Sequence, residues 1–182
     1  MTQLSSFSAE DAELIVSLAY RVGMHVSFTE DEEGEQDDER EMRALESCIK
    51  EIAKLHEGSE LMKEIAAEVL RSKDKWPAWS EGVFNIEPQC EKAVLALKST
   101  ASEGDVKSYI KMLLEIATAV AQAYGEFGEE QAPEKGFFGK ALSRIVGEFS
   151  GLSSEDANHP MNVSAAEDSA ISSIAAALRK NA

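Results

Sequence analysis

The chain is short of several residue types, and each shortage excludes a class of protein. It has two cysteines in 182 residues. These are too few for a disulfide framework or a zinc ribbon, so we expect Cys48 and Cys90 to be buried, reduced thiols. Its 18 Lys and Arg stand against 34 Asp and Glu, which gives a formal net charge of −16. Such a protein repels phosphates, so binding to nucleic acids or anionic membranes is not expected.

Long apolar runs are also missing. The longest candidate, Ile116–Gly125, is bounded by Glu115 and is much shorter than the roughly 20 residues of a membrane-spanning helix. Residues Met1–Tyr20 contain no Lys or Arg, so they lack the basic start of a signal peptide. We therefore expect a cytoplasmic protein that does not insert into a membrane.

The sequence patterns of common catalytic sites are absent as well. No Ser lies in Gly-x-Ser-x-Gly, and Gly136–Lys140 lacks the rest of a phosphate-binding loop. None of the three His stands three residues after a Glu, as di-iron bundles require, and none has an obvious carboxylate partner by spacing. The chain is therefore interpreted as a binding protein more readily than as an enzyme, although the question of enzymatic activity stays open.

Helical periodicity, in contrast, dominates the chain. Apolar residues recur at spacings of three and four, Ser8, Ser59 and Ser164 stand where helix N-caps are expected, and no segment alternates with a period of two. The pattern predicts a single all-α domain over residues 1–182, a helical bundle of six to seven helices. The predicted helices are centred on Leu18, Ile49, Ile65, Val94, Leu113, Leu142 and Ile174.

Three further expectations concern the ends and connections of these helices. Pro77, between Trp76 and Trp79, predicts a break after the third helix, with both indoles covering one end of the core. His25 is expected at the surface or in the C-terminal turn of the first helix. Residues 151–163, rich in Ser, Asp and Asn, predict an exposed linker before the last helix.

Two acidic segments connect predicted helices. An acidic loop over residues 29–39 contains eight carboxylates and no basic residue from Glu30 to Glu39, a charge of about −8. A second acidic turn, Gly125–Pro133, follows the helix that ends near Tyr124. Both segments have the layout helix, acidic turn, helix, which suggests two pseudo-repeated units.

Clustered carboxylates suit hard cations, because Ca²⁺ and Mg²⁺ prefer oxygen ligands, as does Mn²⁺. The alternative is a solvated acidic loop that needs no ligand, in which Asp37, Asp38 and Glu39 stabilise the N-terminus of the following helix through its dipole. The candidate metal ligands are the carboxylates of both acidic segments that could converge: Asp31, Glu33, Glu35, Asp38, Glu126, Glu129, Glu130 and Glu134.

Residues Ala117–Glu126, followed by Glu134, resemble the signature of the tellurite-resistance TerB-like family. In that family a helix runs into an Ala-Asp-Gly turn, and a downstream acidic residue opens the next helix. The resemblance covers residues 108–149 best and 12–53 more loosely. It implies an all-helical bundle with paired acidic sites for divalent cations and a role in a stress response or an envelope-associated assembly. Tyr124 stands where the family usually has Asp, and His25–Phe28 replace the expected first turn.

The leading functional prediction is therefore a non-enzymatic protein that binds a divalent cation (Ca²⁺, Mg²⁺ or Mn²⁺) through clustered carboxylates. One alternative is a metal-independent acidic module that docks on a basic protein surface. A weaker alternative is a metal-assisted hydrolase that holds a metal-bound water between the two acidic turns, which requires the turns to be neighbours in space. The sequence leaves the partner and the oligomeric state open.

Overall fold

A computed structural model describes residues 2–29, 38–56, 58–126 and 164–181, with the backbone alone at 38–44 and 123–126. These residues contain helices and no strand, which confirms the predicted all-α class. None of the described helices is both long enough and apolar enough to span a membrane. The α-helices are α1 (Ala9–Ser27), α2 (Asp38–Leu55), α3 (Glu60–Arg71), α4 (Trp76–Ser80), α5 (Glu87–Thr100), α6 (Glu103–Glu126) and α7 (Ala165–Lys180).

The predicted N-caps are confirmed. Ser8 Oγ accepts a hydrogen bond from the amide of Asp11 at 3.1 Å, and Ser59 caps α3 in the same way. Ser164 and Glu167 form a complete capping box at the start of α7. Each cap satisfies an amide that the first turn of a helix leaves without an intrahelical partner, so these three helix starts are fixed by local sequence.

Helix α1 is the centre of the bundle. From Ile15 to Ser27 all of its residues except Arg21 are buried, and it packs against all six of the other α-helices described above. Small residues permit this close packing. A Cβ atom at Gly23 would lie 2.4 Å from Leu45 Cδ1 and 3.3 Å from Val120 Cγ2, so α1, α2 and α6 meet at this glycine.

Helices α1 and α6 run in the same direction. The hydroxyl of Tyr109, early in α6, donates to the carbonyl oxygen of Ile15 at 2.9 Å, and Val120, late in α6, lies beside Gly23. Helix α2 runs in the opposite direction, since Leu45 in its first half lies beside Gly23, whereas Ser59, which follows the helix, donates to Asp105 at the start of α6. The last residues of α1 and α6 and the first residues of α2 therefore lie at one end of the bundle, which we call the acidic end.

The segment around Pro77 corrects one expectation. Instead of a simple break, a 3₁₀ turn leads into the short helix α4, which has Pro77 in its first turn, where the missing amide costs no helical hydrogen bond. Trp76 and Trp79 are buried, as predicted. Trp76 stacks on Tyr20 with 4.8 Å between ring centroids, and Trp79 Nε1 donates to Glu13 Oε1 at 3.0 Å.

The cysteines are buried and free, as expected. Burial raises the pKa of Cys48, with a smaller contribution from the charge of Glu115, and burial also raises the pKa of Cys90 to about 12. Both thiols therefore stay protonated at neutral pH and are poor nucleophiles. His25 lies in the last turn of α1, but it is buried rather than exposed, and its Nδ1 donates to the carbonyl oxygen of Val83 at 2.8 Å.

Two predicted features lie outside the described residues. They are the helix centred on Leu142 and the linker at 151–163. The described α-helices share one hydrophobic core, to which α7 contributes Ile174 and Leu178. The second of the two pseudo-repeated units includes the helix centred on Leu142, so the proposed repeat stays a prediction.

The packing at Gly23 can be tested by adding bulk. Gly23→Val should lower the free energy of unfolding by about 1–3 kcal/mol, because the new methyl groups must displace Leu45 and Val120 in a packed core. Gly104→Val is the matched control, since a Cβ there meets one atom within 4 Å, Ser102 Oγ at 3.7 Å. Urea unfolding of both variants measures the difference. Equal losses in the two variants would contradict the close approach of α1, α2 and α6.

Candidate functional site

The structure places the backbone of two of the eight predicted carboxylates. Asp38 is the first residue of α2, and Glu126 is the last residue of α6. Both lie at the acidic end. The other six candidates lie outside the described residues: Asp31, Glu33, Glu35, Glu129, Glu130 and Glu134.

The acidic end has a distinctive electrostatic character. Helices α1 and α6 both direct their C-terminal ends toward it, and each helix C-terminus carries about half a negative charge from the aligned peptide dipoles. Thr29 and Asp38, near the two ends of the first acidic segment, lie at this end, as does Glu126 at the start of the second. The flanks of the two acidic segments are therefore neighbours in the fold.

Two aromatic side chains lie in contact at the acidic end. Phe28 caps the C-terminus of α1 and contacts Phe84, with 6.0 Å between the ring centroids. The Phe84 side chain is 70% exposed, the largest exposed fraction among the large apolar side chains in the described part of the chain. Sequence patterns did not identify this residue, because a single Phe in an irregular connection carries no periodic signal.

Metal-ligating side chains do not cluster within the described ranges. In them, no group of three or more His, Cys, Asp and Glu side chains is arranged to hold a metal ion. Six of the eight predicted ligands lie outside these ranges, and the side chains of Asp38 and Glu126 are not described. The metal site therefore stays a prediction from the sequence.

A buried histidine–carboxylate pair lies toward the opposite end of the bundle. His56 Nε2 is 2.6 Å from Glu115 Oε2, and the two residues are 59 positions apart in the chain. Glu115 is fully buried, and His56 is 8% exposed. Spacing along the chain indicated no obvious carboxylate partner for any histidine, and the structure supplies one for His56 from a different helix. The sequence signal was Glu115 itself, a charged residue among the apolar residues of α6.

The two carboxylate oxygens of Glu115 have different surroundings. Oε2 accepts the proton of His56 Nε2, whereas Oε1 has no hydrogen-bond donor in the described part of the chain. The ammonium group of Lys111, one turn earlier on α6, is 3.8 Å from Oε1. A buried carboxylate is costly unless hydrogen-bond donors or positive groups compensate it, and here the ring N–H of His56 and the ammonium of Lys111 do so.

His56 and Lys111 also line a cleft of about 590 Å³, which we call the His56 cleft. It lies between the end of α2, the start of α3 and the first half of α6. Ser59, Asp105 and Ser108 contribute polar groups to its wall. The volume is within the range of pockets that hold small molecules in proteins.

Asp105 holds one side of this cleft together. Its carboxylate accepts hydrogen bonds from the hydroxyls of Thr2 at 2.9 Å, Ser59 at 3.2 Å and Ser102 at 2.8 Å. Burial acts to raise the pKa of Asp105, but these hydrogen bonds together outweigh it, so the pKa is below its usual value. Asp105 therefore joins the N-terminal segment to the first residues of α3 and α6.

The buried pair predicts a large cost when one partner is removed. His56→Ala should lower the free energy of unfolding by about 3–5 kcal/mol, because Glu115 is left buried without its closest hydrogen-bond donor. The double variant His56→Leu/Glu115→Leu should recover most of the loss, since both polar groups are then gone. The control is Lys63→Ala, which removes an exposed partner of Glu60 and should cost less than about 1 kcal/mol. Chemical denaturation that gives His56→Ala and Lys63→Ala similar stabilities would contradict the buried pair.

No family model matches the chain, and comparisons with curated proteins and with solved structures likewise find no match. Its functional features are therefore drawn from its own residues, and the TerB-like resemblance stays a prediction from the sequence.

Proposed function

We propose that this chain is a non-enzymatic protein that binds a divalent cation at the acidic end. The proposal is supported by one observation above all, the parallel course of α1 and α6, because each acidic segment directly follows one of these helices. A site shared by the two segments requires their flanks to be neighbours. The proposed ligands are Asp31, Glu33, Glu35, Asp38, Glu126, Glu129, Glu130 and Glu134.

Electrostatics explains why a cation would bind there. The first segment carries eight carboxylates, and the sequence from Glu126 to Glu134 carries four more without a basic residue. The C-terminal dipoles of α1 and α6 add negative potential at the same end, and the N-terminus of α2 offsets the equivalent of one of them. Ca²⁺, Mg²⁺ or Mn²⁺ bound by carboxylate oxygens reduces this repulsion, so the folded protein is stabilised when the cation is present.

The TerB-like resemblance supports the same proposal. It implies acidic cation sites that follow helices, and both acidic segments of this chain follow a helix. A role in a stress response is part of the proposal on that ground. The metal-assisted hydrolase, in contrast, is favoured by no contact within the described residues, and it stays a prediction from the sequence.

Thermal unfolding tests the cation proposal. A ligand that binds the folded state at one hundred times its dissociation constant adds about 2.7 kcal/mol of stability. For a domain of this size we expect the midpoint of unfolding to rise by about 5–10 °C with Ca²⁺, Mg²⁺ or Mn²⁺ at fixed ionic strength, and EDTA should reverse the rise. The variant Glu126→Gln/Glu129→Gln/Glu134→Gln should lose most of this response.

The matched control neutralises three carboxylates at the other end of the bundle. Glu10, Glu60 and Glu103 lie in the first turns of α1, α3 and α6, so Glu10→Gln/Glu60→Gln/Glu103→Gln removes the same charge away from the acidic end. This variant should keep the full cation response. Equal small shifts with every divalent salt, or the same loss in both triple variants, would indicate screening and would contradict the proposal.

The exposure of Phe84 supports a second candidate function, metal-independent binding of a basic protein. An exposed aromatic side chain, at the end of the bundle from which two acidic segments start, has the composition of a binding anchor with nearby charges that attract a basic partner. Phe84 and Phe28 together present this apolar surface at the acidic end. EDTA distinguishes the two candidate functions, because it abolishes the binding of a divalent cation and leaves the binding of a basic protein unchanged.

A labelled peptide of alternating Lys, Arg and Leu residues is a suitable probe for this second candidate. Fluorescence anisotropy should give saturable binding that weakens as salt is added and does not change with EDTA. Phe84→Ser should weaken binding about tenfold, whereas Leu95→Ser, at another exposed apolar residue on α5, should leave it unchanged. Equal effects of the two substitutions would contradict an anchor at Phe84.

A further inference from the structure

One ring nitrogen of His56 is a hydrogen-bond acceptor that lacks a donor. The other nitrogen, Nε2, is 2.6 Å from the carboxylate of Glu115. A neutral imidazole carries one proton, and an ionised carboxylate can only accept, so that proton is on Nε2 and Nδ1 keeps its lone pair. In the described part of the chain, no residue donates a hydrogen bond to this lone pair.

The lone pair of Nδ1 is open to the His56 cleft. The side chain is more than nine-tenths buried, and the ring forms part of the cleft wall. Among the described residues, Nδ1 is not one of the unpaired atoms that are fully closed off from solvent. A molecule in the cleft can therefore reach it. Buried polar atoms in proteins are almost always paired with protein, water or a ligand.

The second unpaired atom near this ring is also an acceptor. Oε1 of Glu115 is fully buried and has no hydrogen-bond donor within the described ranges, and the ammonium of Lys111 is 3.8 Å away. Glu115 does not itself line the cleft. The unmet hydrogen-bonding capacity around His56 is therefore accepting, so a ligand that complements it brings a donor.

The charges of the cleft wall favour neither an anion nor a cation. Glu60 pairs with Lys63 at 2.8 Å, and Asp105 accepts hydrogen bonds from three hydroxyls. Lys111 lines the same cleft as these two carboxylates and lies close to Glu115. The C-terminus of α2, with partial negative charge, meets the N-termini of α3 and α6, with partial positive charge. A polar ligand without net charge suits this balance.

Two further features of the wall suit an uncharged ligand. The hydroxyl of Ser108 makes no hydrogen bond to the described residues and can donate to an acceptor. The hydroxyls of Ser59 and Ser102, in contrast, already donate to Asp105. Two leucines supply apolar surface, Leu55 and Leu61. The cleft thus combines one unmet acceptor, one available donor and an apolar wall.

We propose that the His56 cleft binds a small uncharged amide. The amide N–H donates to Nδ1 of His56, and the adjacent carbonyl oxygen accepts from the hydroxyl of Ser108. The apolar part of the ligand lies against the two leucines of the wall. Glu115 holds the ring in the required tautomer, because it takes the proton of Nε2. This site is independent of the cation proposed at the acidic end.

Isothermal titration in EDTA with four probes of nearly equal shape tests the class of ligand. Benzamide is uncharged and has an N–H donor, acetophenone has a methyl group in its place, and benzoate and benzamidinium carry a negative and a positive charge. We expect saturable binding of benzamide, with one site per chain. Acetophenone should bind at least about tenfold more weakly, because it leaves Nδ1 unpaired. Both ions should also bind more weakly than benzamide.

Absence of saturable benzamide binding up to millimolar concentrations would mean that water alone occupies the cleft, and it would overturn the proposal. Equal or tighter binding of acetophenone would exclude the hydrogen bond to His56, and equal or tighter binding of either ion would exclude an uncharged ligand. Added NaCl should leave the benzamide affinity nearly unchanged, since screening acts on charges. A strong salt dependence would likewise contradict the proposal.

Two serines provide a matched pair of variants. Ser108→Ala should weaken benzamide binding several-fold while circular dichroism shows an unchanged helical fold, because this hydroxyl makes no hydrogen bond to other described residues. Ser99→Ala removes an exposed hydroxyl of α5 that donates to the carbonyl oxygen of Ala96, outside the cleft, and should leave binding unchanged. Equal effects of the two substitutions would overturn the site.

The ring of His56 provides the most direct readout. In ¹⁵N-labelled protein, the Nδ1 signal should be that of a nitrogen with a lone pair, and it should shift as benzamide donates to it. A protonated Nδ1 in the free protein, or an unchanged signal at saturation, would overturn the proposal. The variant His56→Leu/Glu115→Leu, which is expected to keep most of the stability, should lose benzamide binding. Retained binding in this variant would place the ligand elsewhere.

Discussion

The burial of α1 on all sides is the constraint on which the rest of this structure depends. An α-helix covered by six others must have small residues where the neighbouring helices approach most closely, and Gly23 provides that space for Leu45 and Val120. Together with the hydrogen bonds of Tyr109 to Ile15 and of Ser59 to Asp105, this contact defines the parallel course of α1 and α6 and the opposite course of α2. The acidic end and the His56 cleft both follow from it, because these helix directions decide which termini lie together.

Local sequence determines much of this fold. The N-caps at Ser8, Ser59 and Ser164 and the apolar spacing of the described helices could be predicted, because both are set by residues within a few positions of one another. The pair of His56 and Glu115 could not, since the two residues are 59 positions apart and meet through packing of α2 on α6. The eight candidate ligands follow neither a helical nor a strand period. The sequence therefore predicted a high density of negative charge in these segments, but not where the carboxylates lie relative to one another.

The two ends of the bundle differ in the helix termini and charges that meet there. At the acidic end, two helix C-termini meet the flanks of segments that carry eight and four carboxylates. At the other end, the C-terminus of α2 and the N-termini of α3 and α6 line the His56 cleft. Helix α6 reaches from one end to the other, with a length of about 36 Å, so the ends are electrostatically separate at physiological salt.

Paramagnetic broadening by Mn²⁺ tests the central claim, a cation site at the end where α1, α2 and α6 meet. Amide signals of ¹⁵N-labelled protein are recorded while Mn²⁺ is added below one equivalent. The account predicts that signals of Phe28, Asp38 and Glu126 broaden first, whereas those of Ser59 and Ser102 at the other end stay sharp. Equal broadening at both ends, or broadening that begins at Ser59 and Ser102, would contradict it.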